Sequence, residues 1–463
     1  MVGRGSKGAG TLAAAVTALL LMPRAARANG AFPNGQSILA PADRPGEIVL
    51  ATNFGLVATE DDGHTWTYSC EQAITSFGRL YQMGPAPTHR LFAIAQAQLV
   101  YSDDDACGWA TAGGALGGNT LCEDAFVDPS DGTRVLAAAL AGGAGILYTV
   151  YESTDGGATF DRALYTAAPG DLVTGIEIAA SDPMTVDVAL SHGPEDAPTL
   201  ARSTDGGVTW ALTDLTGAVG TGQVRILAID PTDADRVFLR VLTAAGDTLA
   251  IVTNGGATVT TPLSFGGGMG AFVRTSAGTL LAFGSDGGSS ALYRSTDGGA
   301  SFAPLPGPPP ILALAERAGV IYAATDSTLG PYAEATSADE GASWTPGLAF
   351  SQVAAIQPCV KGACQSDCLM RAQQQQWPAA ICSADAPVSD PPGATVVVTD
   401  GGVASDAGTV VLLHDASIPA VVDASDVPRT AYGCRCATTD ARAGSGWAVL
   451  LLLAALARGR RRR

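Results

Sequence analysis

Positive charge is the scarcest chemistry in this chain of 463 residues: Lys and Arg together number 26 against 44 Asp and Glu, for a net charge of −18. Lys7 and Lys361 are its only lysines, and many of the arginines crowd into the two ends, leaving the middle more acidic still. Such a surface repels phosphate backbones and anionic headgroups, which argues against nucleic acid as a partner. None of the glycine runs, such as Gly266-Gly267-Gly268, ends in the Gly-Lys-Ser/Thr of a phosphate loop. Histidine is nearly as rare: His64, His89, His192 and His414 sit apart, with no nucleophile paired to any of them. Charged residues are 15% of the chain, but the apolar set is 47% and glycine numbers 57, the composition of a glycine-punctuated globular protein rather than a disordered one. No apolar run reaches the roughly 20 residues that span a bilayer.

The two apolar runs that do exist lie at the ends and are read as addresses. Arg4 and Lys7 precede the apolar stretch Ala9 to Met22, and Ala26-Arg27-Ala28 then forms an A-x-A site, so residues 1–28 are a secretory signal peptide cut after Ala28. At the other end come Gly433-Cys434, a polar spacer, the apolar run Trp447 to Ala457 and a terminal arginine cluster. This order resembles the myxobacterial-type C-terminal sorting tag. The resemblance implies that residues 433–463 form a short apolar helix held in the membrane with its arginines cytoplasmic, that a sorting protease cuts near the cysteine, and that Cys434 is modified for surface display.

A repeat organises the middle. Ser/Thr-x-Asp-x-Gly-x-x-Trp/Phe occurs as Ser153, Asp155, Gly157, Phe160; as Ser203, Asp205, Gly207, Trp210; and as Ser295, Asp297, Gly299, Phe302. Two close copies carry Asp61 with Trp66 and Asp339 with Trp344; a degraded one keeps Asp104 and Trp109 but puts Ala106 at the glycine, and another keeps only Asn254 and Gly256. The seven starts, at 59, 102, 153, 203, 252, 295 and 337, fit one four-stranded blade per interval. In each box Gly permits a positive φ, Asp accepts from the turn's own amides, and the terminal aromatic wedges between sheets. The pattern resembles the Asp-box, or bacterial neuraminidase, repeat of sialidases, sortilin-type receptors and related propellers.

The expectation is an all-β fold: a seven-bladed β-propeller of four-stranded antiparallel blades over residues 29–357, a Cys-rich cap over 358–385, and an acidic flexible spacer over 386–432. Ser37 to Ala40 or Gln352 to Ile356 is expected as the innermost strand of the first blade. The phrases Asp128-Pro129, Asp182-Pro183 and Asp230-Pro231 are expected to link each blade's outermost strand to the next blade's innermost one. An exported chain keeps its cysteines oxidised. Cys359, Cys364, Cys368 and Cys382 are read as two disulfides within the cap, and Cys70 and Cys107 as a bridge between the first two blades, with Cys122 unassigned. No metal or cofactor is expected at the boxes or the cysteines.

For function, a sialidase-like hydrolase would need an arginine triad, a Tyr with a carboxylate partner and an acid. The Arg-Ile-Pro signature is absent, and Arg202 and Arg294 immediately precede boxes, which places them on blade strands away from the central channel. A two-carboxylate glycosidase is the alternative, with Asp171, Glu177, Asp182 and Asp187 as candidate acids. The preferred expectation is non-catalytic: a surface-anchored module that binds a glycan or protein through loops such as Leu116 to Thr120, Ala141 to Gly145 and Phe265 to Met269.

Overall fold

The computed structural model describes residues 35–385, apart from 75–77, 119, 142–146 and 194–195. The expected signal peptide with Ala28, the expected spacer, the expected tag with Gly433 and Cys434, and most of the loop Ala141 to Gly145 lie outside the described residues. Among the described residues, no helix is long and apolar enough to cross a membrane.

Seven sheets of four sequential antiparallel strands make the seven-bladed propeller. The first strands of the blades, Gly35–Leu39, Gly78–Met83, Leu121–Val127, Leu172–Ala179, Gln223–Asp230, Met269–Arg274 and Ile311–Arg317, abut one another around the ring and are the inner ones. Second strands such as Ile48–Thr52 are buried along their whole length, as strands covered on both faces must be. Every inner strand also shifts register in its pairing with the second, once in five blades and twice in blades 4 and 5.

The boxes form the turn between the third and fourth strands. In the third blade the Ser153 hydroxyl donates to Asp155 Oδ1 at 2.6 Å and accepts from Gly157 N at 2.8 Å, while Asp155 Oδ1 accepts from Thr159 N at 2.9 Å. The same three bonds recur at Asp61, Asp104, Asp205, Asp297 and Asp339. Gly157 sits at φ +84°, where an added Cβ would strike the Phe92 ring of the preceding blade. Ala106 takes the same backbone at φ 67°, a conformation that L residues occupy at a cost. The wedges are in place: Trp66 and Phe160 are buried, Trp109, Phe302 and Trp344 are partly buried against the core, and Trp210 Nε1 donates to Leu164 O of the preceding blade at 3.0 Å.

The turns at Asp155, Asp205 and Asp339 favour the ionised carboxylate. Asp205 and Asp339 lie at about 2, chiefly through hydrogen bonds from Thr209 and Ser343. Burial works against Asp155, but bonds from Ser153 and Thr159 bring it to about 2 as well. A depressed carboxylate stabilises the fold fully above its unfolded value of 3.8 and loses that contribution as pH falls through its folded one, so stability should drop between pH 3.8 and about 2. Asp155→Ala should cost about 1 kcal/mol, the scale of a lost capping acceptor, and urea unfolding at pH 7 and pH 3 should show that penalty shrinking in acid.

Two features correct the sequence expectation, and a third decides between the alternatives it left open. The Asp-Pro phrases join the first and second strands of one blade: Asp128-Pro129 follows Leu121–Val127 and precedes Val135–Ala141, and Asp230 ends the first strand Gln223–Asp230, with Pro231 leading to Asp233–Thr243. Asp128 and Asp230 there accept from Ser130 N and Thr232 N. Gly35–Leu39 is the inner strand of blade 1, whereas Val353–Ile356 lies parallel on the outer edge of the same blade, against Trp66–Cys70. The cysteines pair differently, too. Cys70 joins Cys364 and Cys107 joins Cys359, and within the cap there is one bridge, Cys368–Cys382; the bridge between Cys70 and Cys107 does not form. Cys122 is a buried thiol outside these bridges.

The cap is a 13-residue helix, Lys361–Gln373, flanked by short 3-10 turns. Trp377 of the cap packs 4.8 Å from the Tyr68 ring and 5.8 Å from Phe54. The chain thus closes its ring from outside. After blade 7 it crosses to the rim of blade 1, adds a fifth strand to that otherwise exposed edge, and is fastened by one disulfide to blade 1 and by another to blade 2.

Candidate functional site

The four nominated acids are occupied by the fold. Glu177, on the inner strand of blade 4, accepts from Ile229 N of blade 5 at 2.7 Å. Asp187, on the second strand, is fully buried and takes a bidentate pair from Arg202, with Nε to Oδ1 at 2.9 Å and Nη2 to Oδ2 at 2.7 Å. Asp182 caps the turn into its strand, accepting from Met184 N at 3.2 Å and the Thr185 hydroxyl at 2.9 Å. Asp171, at the opposite end of the blade, accepts from Gly193 N at 3.3 Å and lies 2.7 Å from His192 Nδ1. Glu177 and Asp187 are direct partners across the first two strands, but Asp171 and Asp182 lie at opposite ends of the blade, so the four do not converge on one point.

Sequence reasoning missed what such acids do. Asp124 of blade 3 reaches Ile176 N of blade 4 at 2.8 Å, Glu177 repeats the reach one blade on, and Asp247 reaches Met269 N of blade 6 at 2.7 Å. A buried carboxylate that meets an inner-strand amide of the next sheet ties the two blades together. At the closing junction Arg317 does this work from blade 7, with Nη1 2.5 Å from Glu47 O and Nη2 3.1 Å from Asp62 Oδ1. The signal available in sequence is an acid or arginine inside an otherwise apolar inner strand, as in Leu121–Val127.

Arg202 and Arg294 lie on third strands, as their place before a box implies. A Tyr-carboxylate pair does occur, because the Tyr68 hydroxyl bonds to Asp367 of the cap helix. It is unsuited to nucleophilic attack: Tyr68 is fully buried, and burial, followed by the Asp367 bond and charge, drives its hydroxyl far above the ordinary range. Arg371 lies 3.5 Å from Asp367 and stacks 4.8 Å from the Phe54 ring centre, so the cluster seats the cap. Glu71 beside it is raised to about 7 by burial, with Arg371 opposing and Asp367 adding to the shift.

One concave feature of the ring lies at the end that carries the Asp-Pro turns. A small cavity of about 60 Å³ is bounded by Ile38, Pro41, Tyr81, Pro85, Phe126 and Pro129, with Glu316 at one side. Glu316 is held by Ser276 N and Oγ at 3.2 and 2.9 Å and by Gly319 N at 2.6 Å. Of the loops expected to present a ligand, Leu116 to Thr120 and Phe265 to Met269 follow outermost strands and lead into inner ones, at the end of the disc opposite this cavity.

No family model matches the chain, and no curated protein does. Solved structures do resemble it. An ancestral GH74 enzyme is 12% identical with a TM-score of 0.37, covering 67% of this chain and 54% of its own. YCF48 from Cyanidioschyzon merolae is 13% identical with a TM-score of 0.38, covering 59% of this chain and 85% of its own. A puromycin-hydrolyzing peptidase of Mycobacterium tuberculosis is 14% identical with a TM-score of 0.49, covering 70% and 55%. The chain thus spans little more than half the length of the GH74 enzyme. Likenesses at this identity concern fold alone, and enzymes and proteins not named as enzymes stand among them.

Proposed function

We propose that the protein is an exported, surface-anchored propeller that binds a glycan or a protein without turning it over. The observation that carries the non-catalytic reading is the engagement of the acids: Glu177 and Asp187 are buried and bonded within the fold, and Asp171 and Asp182 are bonded elsewhere. Export and anchoring rest on the two terminal signals, with the sorting protease as a processing partner.

The test is a glycan-array and chromogenic-glycoside screen on the full chain, with and without calcium and with sialosides included. Saturable binding without hydrolysis is expected. Turnover of any glycoside would establish the glycosidase alternative instead. Mass spectrometry of the secreted protein should find Asn29 at the new N-terminus and processing near Cys434, and an unprocessed chain would contradict the address.

A further inference from the structure

Between blades 1 and 2, on the end that carries the box turns, runs a groove of about 320 Å³. Its floor is apolar, with Val49, Leu56 and Leu91, and its walls carry the four acids Glu47, Glu60, Asp61 and Asp105. One guanidinium, Arg44, bridges Glu47 at 2.7 Å and Asp105 at 3.0 Å, so the walls keep an excess of negative charge. Burial pushes the Glu47 carboxyl above its ordinary range although Arg44 pulls it down, the mark of a poorly hydrated wall.

His89 lines the same groove with its side chain nine-tenths buried. Its Nε2 lies 2.7 Å from Asp43 Oδ2, while its buried Nδ1 has no partner among the described residues. A carboxylate at Nε2 keeps the proton of the neutral ring there, which leaves Nδ1 as an acceptor that lacks a donor. The opposite wall, Gln357-Pro358, is fixed by the Gln357 Nε2 bond to Asp105 O at 2.9 Å and by the adjoining Cys107–Cys359 bridge. The groove is therefore preorganised.

An apolar floor, acidic walls and an unmet buried acceptor together specify a cation that donates hydrogen bonds from the end of an apolar stem. We infer that the groove binds an alkylammonium or alkylguanidinium group, with the stem on Val49, Leu56 and Leu91 and the N–H donors on His89 Nδ1 and the acids around it. The group can come from a free amine or from a Lys or Arg side chain of a polypeptide. The groove is distinct from the cavity beside Glu316, although Met83 lines both.

Calorimetric titration of the full oxidised chain tests it, using cadaverine, agmatine, a Gly-flanked Arg peptide and, as the neutral control, N-acetylnorleucine methylamide. The cations should bind saturably and the norleucine amide should not. Glu60→Gln, at an exposed position, and His89→Leu should each weaken binding about tenfold through loss of one charge-assisted bond, whereas Asp233→Asn on blade 5 should change nothing. If His89→Leu fails to fold, Glu60→Gln carries the test alone. Tighter binding of the peptide than of agmatine assigns the source to a polypeptide, and equal binding assigns it to a free amine. Absence of saturable binding, equal binding of the norleucine amide, or cation binding unchanged in Glu60→Gln would overturn the inference.

Discussion

Changing Cys70 and Cys364 together to Ser is expected to lower the unfolding free energy by about 2–4 kcal/mol, and removing the Cys107–Cys359 bridge as well should cost more than the two single losses combined. The two bridges join residues 294 and 252 positions apart in sequence. While either stands, the other closes an effective loop of only about 40 residues, made of the segments between Cys70 and Cys107 and between Cys359 and Cys364. Removing both frees the whole ring, and chain entropy puts the excess over additivity at about 2 kcal/mol. Cys368–Cys382 spans 14 residues, so its loss should loosen the cap and leave the blades intact. Urea unfolding of the three double-Ser variants and of the quadruple variant measures these values. Strict additivity would mean that the inner-strand contacts and Arg317 already close the ring, with the cap as an appendage.

The blades were readable in the sequence, but their closure was not, and the difference is physical. Each box is a local device: Ser153, Asp155, Gly157 and Thr159 bond to one another within seven residues, so the same demand writes nearly the same letters six times, the strained Ala106 included, with the Asn254 turn eroded. A period reveals spacing without phase. The Asp-Pro turns were therefore set one strand boundary away from their place, although their role as turns was right. Disulfide partners some 250 residues apart carry no local signature, and spacing alone favoured pairing within the cap. Candidate acids were likewise visible by type, but the amide that Glu177 meets belongs to the neighbouring blade, which no window of sequence around Glu177 contains. The groove at His89 depends on three separated segments, blade 1, blade 2 and the returning Gln357-Pro358, and was invisible for the same reason.

Arg202→Leu should be the most damaging single substitution on the blades, costing about 3–5 kcal/mol at pH 7, because it strands a buried carboxylate. Asp187 has no exposed surface, and Arg202 gives it two hydrogen bonds while its own Nη1 reaches Asp235 at 2.9 Å. Burial holds the Asp187 carboxyl above its ordinary range, and Arg202 is what pulls it back. Without the guanidinium the folded value rises further. A carboxyl raised in the folded state favours folding below its unfolded value and loses that benefit as pH climbs through the folded one. The deficit of Arg202→Leu should accordingly shrink as pH is lowered from 7 toward 4, opposite in sign to the acid sensitivity of the box aspartates. Asp187→Leu combined with Arg202→Leu removes the stranded charge and should recover most of the loss, since a buried pair gains little over apolar residues that fill the same space. Denaturation of both variants at pH 7 and pH 5 separates the alternatives. A single variant as stable as its parent at both pH values would mean that water reaches Asp187 between the blades, and that the pair is not what holds the second and third strands of blade 4 in register.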